Sequence, residues 1–400
     1  MAISRQRQTL FLVAGMLITG TANTLLNKYQ DNQCVGNCDS ADPSQRHHFE
    51  QPLWQTLNMF IGEFSCILIY LYSRFFQVQD AEPLTDSPDD TLVPTESSSM
   101  LNASDPENNP VFLNNPTPTE SLSGNKLFLM WIPCLFDICG TTLMNVGLIY
   151  TDASVYQMLR GSIVLFVGLF SVIFLKRKLY LFQWTSLFFI VAGVALVGAS
   201  SIFRNAKVHE LAAPKTLAFG ISESAIGVMM VLIAQMFSAS QFVAEEKILS
   251  KYHLQPADGV WLEGIFGMIS VGTAMPILHY LIGRNHPGGY FDVPNGWAEI
   301  SNHPTVWISG IFIAFSIALF NFFGLSVTRT ISATSRSTID TSRTLFIWLF
   351  SLFLGWETFS ILQVLGFSLL VYGTFLFNGV VAPPTFLSHD LNDEHRPLTN

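Results

Sequence analysis

The sequence predicts an all-α integral membrane protein, with about ten transmembrane helices in two inverted five-helix repeats. Three observations lead there. Only 12% of the 400 residues are Asp, Glu, Lys or Arg, about half of the ~25% usual for a soluble domain. Apolar runs of roughly 20 residues, the length that crosses a bilayer core, recur down the chain. A shift of 180 residues also lays the fourth and fifth of these runs on the ninth and tenth.

Taken in order, residues 1–7 form a short N-terminal segment carrying Arg5 and Arg7, and the first two spans, near 8–27 and 53–75, lie within residues 8–76. The first span is long for the apolar region of a signal peptide, and the repeat needs it, so it is expected to stay. Residues 77–125 hold nine acids and no Lys or Arg, which accounts for the whole formal charge of −9. Rich in Pro, Ser, Thr and Asn, they lack the apolar surface to fold and read as a disordered acidic cytosolic loop. Residues 126–200 carry the third to fifth spans (127–149, 153–175, 180–200), and 201–223 form a non-cytosolic linker. Residues 224–378 carry the second five (224–246, 258–282, 304–326, 332–354, 357–378), and 379–400 are a polar tail.

Basic residues orient the chain, since cytosolic loops are enriched in Lys and Arg. With a cytosolic N-terminus and ten helices, that side receives Arg5, Arg7, Arg74, Lys126, Lys176, Arg177, Lys178, Lys247, Lys251, Arg329, Arg336 and Arg396. The far side receives Lys28, Arg46, Arg204, Lys207, Lys215 and Arg284. Twelve against six supports an even number of helices and two cytosolic termini. The sequon Asn102–Ala103–Ser104 then faces the cytosol and stays unglycosylated. Near-neutral charge outside the acidic loop gives no basis for a nucleic-acid partner; the bilayer and a small solute are the expected partners.

The repeat aligns without a gap. Ala153–Ser154 meets Ala333–Thr334, Ser162 meets Ser342, Leu169–Phe170–Ser171 meets Leu349–Phe350–Ser351, Gln183 meets Gln363, and Gly193 meets Gly373. An odd number of helices per half makes the second half enter the membrane from the opposite side. Such inverted repeats are common in secondary transporters, with the solute site near the midplane between the halves.

An ionised side chain at a helix centre costs ~2.5–3.5 kcal/mol on insertion scales, so such residues mark functional interiors. Here they are Glu63, Asp137, Arg160, Glu263, Asp340 and Arg343. Asp340 and Arg343 share a helix face, and Arg336 extends that stripe. Under the 180-residue shift Arg160 falls on Asp340. Arg160, Arg336 and Arg343 can offer guanidinium forks to an anionic solute, or Arg160, Asp340 and Arg343 can neutralise one another and lock the halves together. Salt bridges that break and reform would gate access, so the two roles are compatible. Glu63, Glu263 and Asp137 are candidate coupling carboxylates for a proton or exchange substrate, and Gln157 and Asn321 add hydrogen-bonding capacity.

Cys66, Cys134 and Cys139 fall within apolar spans, where they pack as small hydrophobes. Cys34 and Cys38 lie in a polar loop near His47 and His48. They are candidates for a loop disulfide, with two unpaired thiols as the alternative; a zinc site is disfavoured by the lack of C-x2-C spacing. No metal site or cofactor is expected. The Gly-x-Gly-Asp, His-Glu-x-x-His and Gly-x-x-x-x-Gly-Lys-Ser/Thr patterns are absent, which argues against an intramembrane protease, a zinc hydrolase and an ATP-driven pump.

The stretch Thr151–Asp152–Ala153–Ser154–Val155–Tyr156–Gln157–Met158–Leu159–Arg160–Gly161 resembles the fourth helix of the drug/metabolite transporter superfamily. More narrowly, the chain resembles solute carrier family 35, F branch, sixth-member type. The matching features are Ser332–Ala333–Thr334, Asp340, Arg343–Thr344, Leu354–Gly355–Trp356–Glu357, Gly62–Glu63–Phe64–Ser65–Cys66 and Glu245–Glu246–Lys247. The resemblance covers nearly the whole chain except 77–125 and the tail. It implies a nucleotide-sugar-transporter-like secondary transporter on an internal membrane, endolysosome, vacuole or Golgi. The Gly-Ala-Leu-Asn-Lys run of GDP-sugar carriers is replaced here by Ser337–Thr338–Ile339–Asp340–Thr341, which argues against a GDP-sugar cargo. The expected function is alternating-access transport of a small polar organic solute, anionic solutes included. The alternative is a non-transporting scaffold or sensor that keeps the transporter fold.

Overall fold

Inside a bilayer the backbone has no water to bond, so an apolar run satisfies its N–H and C=O groups by coiling into a helix. The computed structural model describes residues 2–40, 46–68, 70–72, 120–151, 153–209, 223–353, 361–379 and 381. The acidic loop, but for its last few residues, and nearly all of the tail, with Asn102, lie outside the described residues.

The first half contains α1 (Ala2–Asp31), α2 (Pro52–Ser65), α3 (Trp131–Tyr150), α4 (Ala153–Arg160), α5 (Ile163–Leu175) and α6 (Leu181–His209). The second contains α7 (Glu223–Lys251), α8 (Pro256–Leu281), α9 (Val293–Asn302), α10 (Pro304–Thr330), α11 (Ala333–Phe353) and α12 (Ile361–Phe377). Pro52, Pro256 and Pro304 open their helices, at positions where the missing N–H costs nothing. Lys176, left-handed at φ 56°, closes α5. A 3-10 turn, Gly124–Met130, leads into α3.

Among the described residues seven stretches are long and apolar enough to cross a membrane: Arg7–Asp31, Gly124–Leu148, Val155–Leu175, Leu181–Ser200, Ala225–Lys251, Pro256–Asn285 and Pro304–Thr330. Three further helices fall short for identifiable reasons. Helix α2 is interrupted by a turn at Cys66, α11 carries Arg336, Asp340 and Arg343, and α12 has 17 residues.

Burial is inverted relative to a soluble protein. Phe188, Phe312 and Phe315 are about 60–70% exposed, as a lipid-facing surface requires, while Arg336, Asp340 and Arg343 are at most 6% exposed. Among the described residues there are also four strands of two or three residues. β1 (Cys34–Gly36) pairs antiparallel with β2 (His47–His48) between α1 and α2. β3 (Glu120–Ser121) pairs in parallel with β4 (Tyr252–His253), tying the entry to α3 to the end of α7.

The long-range packing has the form of an inverted repeat. Exchange the halves, and the α1–α10 contact becomes α7–α3, α1–α11 becomes α7–α5, and α2–α10 becomes α8–α3; all six occur. The contacts α2–α8, α6–α12 and α4/α5–α11 map onto themselves. The exchange holds at atomic detail. A Cβ on Gly193 would meet the Gly366 carbonyl oxygen at 2.6 Å, and a Cβ on Gly373 would meet the Ser186 carbonyl oxygen at 2.9 Å; the 180-residue shift turns one contact into the other. At the centre, Thr341 Oγ1 donates to the carbonyl of Gly161, its own partner under the shift, at 3.4 Å.

Candidate functional site

The span that reads as continuous over 153–175 is broken in the structure. After Arg160 the chain passes through Gly161 and Ser162 before α5 begins, with their N–H groups bonded to Met158 and Leu159 carbonyls in short turns. The break sits where α4/α5 crosses α11, beneath a cavity of about 490 Å³. Broken helices at a repeat interface are a recurring way to present a site at membrane depth.

The cavity is walled by amide side chains, among them Asn23, Gln55, Asn145, Gln157, Gln235 and Asn321, together with apolar ones such as Met59, Met144, Ile313 and Phe320. Among the described residues six charged side chains line it: Lys28, Arg160 and Arg336 against Asp31, Asp137 and Asp340. It reaches exposed Asn32 past the end of α1, while its other extremity meets Arg336, which is 2% exposed.

Two ion pairs gather on α7, one of them through the cavity residue Arg336. Arg336 bonds Glu245 and lies over the Phe242 ring, 3.9 Å from its centroid. Arg177 bonds Glu246, whose other oxygen accepts the Ala333 N–H at 3.1 Å. Glu245 and Glu246 escape a search for intramembrane charge because, beside Lys247, they read as a membrane boundary. The signal was available in their pairing with the Arg336 stripe, since unpaired guanidinium inside a membrane needs a carboxylate from somewhere.

The other residues singled out by sequence divide three ways. Asp340 and Arg343 pair with each other at 2.6 Å, and Arg343 also donates to the Gly20 carbonyl at 2.9 Å and stacks on Phe320. Arg160 stands apart. It is half-buried at the cavity wall and makes no ion pair or hydrogen bond among the described residues, so it does not join the Asp340–Arg343 pair. Gln157 lines the cavity with its carbonyl oxygen unbonded.

The carboxylates sit on the α2–α8 side. Glu63, 1% exposed, accepts from Asn321 Nδ2 at 2.5 Å and leaves its second oxygen unbonded. Glu263, 5% exposed, has an unbonded oxygen as well, on α8, whose Gly264 packs directly on the α2 backbone at Glu63–Phe64. Asp137 accepts from Thr141 at 3.2 Å and faces the cavity. Asn321 thus joins Glu63 to the cavity wall, while Glu263 lies behind it. Cys34 and Cys38 form a disulfide in the loop after α1. Among the described residues, no group of three His, Cys, Asp or Glu is arranged to hold a metal ion.

Comparison with known proteins extends this picture. The family model described as nucleotide-sugar transporter matches residues 114–285. An uncharacterized protein of Schizosaccharomyces pombe is 37% identical over 372 residues, covering 92% of this chain and 97% of its own. Human solute carrier family 35 member F6 is 34% identical, covering 94% of this chain and 90% of its own. A rat UDP-N-acetylglucosamine transporter is 34% identical over a shorter stretch, 32% of this chain and 36% of its own. With matches of this extent to the F6 carriers, the chain belongs to the nucleotide-sugar-transporter-like F branch of solute carrier family 35, within the drug/metabolite transporter superfamily.

Proposed function

We propose that this secondary transporter of a small polar solute holds its cargo in the cavity between the halves, with the guanidinium of Arg160, unpaired among the described residues, as the principal anchor. The observation that carries the reading is the cavity itself: lined by charged, amide and apolar side chains, it reaches Asn32 and also meets Arg336, which is paired with Glu245; Arg336–Glu245 and the Arg177–Glu246 pair beyond it are read as the seal at that end. A pathway closed at one end is one state of an alternating-access cycle. Ten helices in two inverted five-helix repeats supply the conjugate state by exchanging the conformations of the halves. Gln157 and Asn321 bond the polar body of the solute; Arg336, Asp340 and Arg343 act in gating.

Glu63 and Glu263, with Asp137, are proposed as coupling carboxylates. Each could carry a proton and so remove a charge from the membrane interior, and only Asp137 and the Glu63 partner Asn321 touch the cavity. Both termini face the cytosol of an internal-membrane organelle. The basic-residue count supports this, as does the Cys34–Cys38 disulfide, because disulfides persist on the oxidising, non-cytosolic side. The acidic loop 77–125 is then cytosolic, as are residues 1–7 and the tail 379–400, while the linker within 201–223 is not.

Proteoliposome uptake tests the reading, with trans-stimulation by preloaded solute and with or without a pH gradient. Wild type should exchange at least one small polar solute and Arg160→Ala should lose that exchange. Glu263→Gln should retain exchange and lose any response to the gradient. A folded wild-type protein that moves no nucleotide sugar, amino acid or organic ion would leave the scaffold alternative standing.

A further inference from the structure

We propose that the solute is a zwitterion of no net charge, its anionic end held by Arg160 and its cationic end by Asp137, and not a nucleoside diphosphate sugar. The inference deepens the reading of the cavity as the transport site and rests on it.

The charges around the cavity carry the argument. Lys28, Arg160 and Arg336 balance Asp31, Asp137 and Asp340 on the wall itself. One layer back, Arg343 is committed to Asp340 and Glu245 to Arg336, which leaves the balance at zero among the described residues. Behind these, Glu63 and Glu263 can only add negative charge. A nucleoside diphosphate sugar brings two negative charges on its pyrophosphate. Proteins meet such groups with several converging guanidinium or ammonium donors, and here Arg336 is already spent on Glu245.

What the deep wall offers instead is one uncommitted cation and one carboxylate bonded only to a neutral hydroxyl. Arg160 has no bonded partner among the described residues, and Asp137 has only Thr141. They stand on consecutive segments of the first half, α4 and α3. The same wall carries the amides of Asn145, Gln157, Gln235 and Gln241. Such groups donate and accept equally, and suit a neutral polar body. Asp31 shows how a wall carboxylate looks when it is satisfied by protein, with Gln55 bonded at 2.6 Å.

The experiment uses the purified full chain in detergent and measures thermal stabilisation by four probes: a panel of neutral amino acids and dipeptides, their N-acetylated forms, their C-terminal amides, and UDP-N-acetylglucosamine. Wild type should bind at least one zwitterion at least tenfold more tightly than its N-acetylated or amidated form, and should ignore the UDP-sugar. Asp137→Asn should abolish the preference over the N-acetylated form alone, and Arg160→Gln the preference over the amide alone. These two separate losses are a readout that a merely structural role would not produce. Stabilisation by UDP-N-acetylglucosamine, or by none of the zwitterions, would overturn the proposal. Binding of a zwitterion without any uptake in vesicles would count against transport and leave the proposal intact, so the two can fail separately.

Discussion

Arg160 and Arg343 carry the same charge on the contacting helices α4 and α11, and their surroundings predict opposite consequences of removal. Arg343 neutralises buried Asp340, and breaking a buried pair by removing one partner costs about 3–5 kcal/mol. Arg343→Ala should therefore lower the melting temperature of the detergent-solubilised protein sharply. The double change Arg343→Met with Asp340→Leu should recover most of the loss, because replacing both charges leaves nothing unpaired. Arg160→Ala removes no pair and should melt within a degree or two of wild type while failing in exchange. Sequence alone could find both arginines, since charge in an apolar run is conspicuous. It could not say which of them Asp340 would choose. That choice depends on α1, where Gly20 leaves room for the Arg343 side chain to lie against the helix, a contact 323 residues away in the chain.

Among the elements, hydropathy finds the long apolar helices and loses the exceptions. The break at Gly161–Ser162 spans two residues, too few to register in a 20-residue average, though Arg160–Gly161–Ser162 is a polar, flexible triplet in retrospect. Helix α1 starts at Ala2, within the stretch read as an N-terminal segment, and α6 runs to His209, into the stretch read as a linker. Both extensions lie beyond the apolar run, where helical hydrogen bonding continues after hydropathy falls. Helix α9 was invisible for a related reason. It is a ten-residue cap whose Trp297 packs on Trp54 and whose Glu299 bonds Gln51, too short and polar to count as a span. The α6–α12 contact yields a prediction that sequence periodicity could not. Gly193→Val would drive side-chain atoms into the Gly366 backbone and should cost about 1–3 kcal/mol, the usual penalty of overpacking. Gly272→Ala, with no atom within 4 Å of the added carbon, should leave the melting temperature unchanged or slightly higher.

For the whole molecule, the question is what holds one end shut. Two carboxylates near the end of α7 reach two different partners, Arg336 on α11 and Arg177 just past α5, so that α7 bridges the halves. In the double variant Glu245→Gln, Glu246→Gln, both ion pairs are lost without a change of shape, and the population should move toward the state open at that end. A single reporter thiol at Ser332, 6% exposed in this structure, should then react with a membrane-impermeant maleimide added from the side of the N-terminus. Equal labelling before and after the double change would exclude these pairs as the gate. The orientation has its own check: Asn102 should remain bare, so glycosidase treatment of protein from a eukaryotic host should leave its mobility unchanged.

The bond from Thr341 to the carbonyl of Gly161 has one more implication. A residue that touches its own counterpart occupies a fixed point of the exchange between halves. The backbone there keeps its place in both conjugate conformations, but its side chains do not match: Thr341 donates a bond that Gly161, without a side chain, cannot return when the halves exchange. The pivot therefore carries a bias of its own, beside those at Arg160, whose counterpart under the shift is Asp340, and at Glu245 and Glu246. Symmetry sets where the halves turn, and the residues that break it set which way they rest.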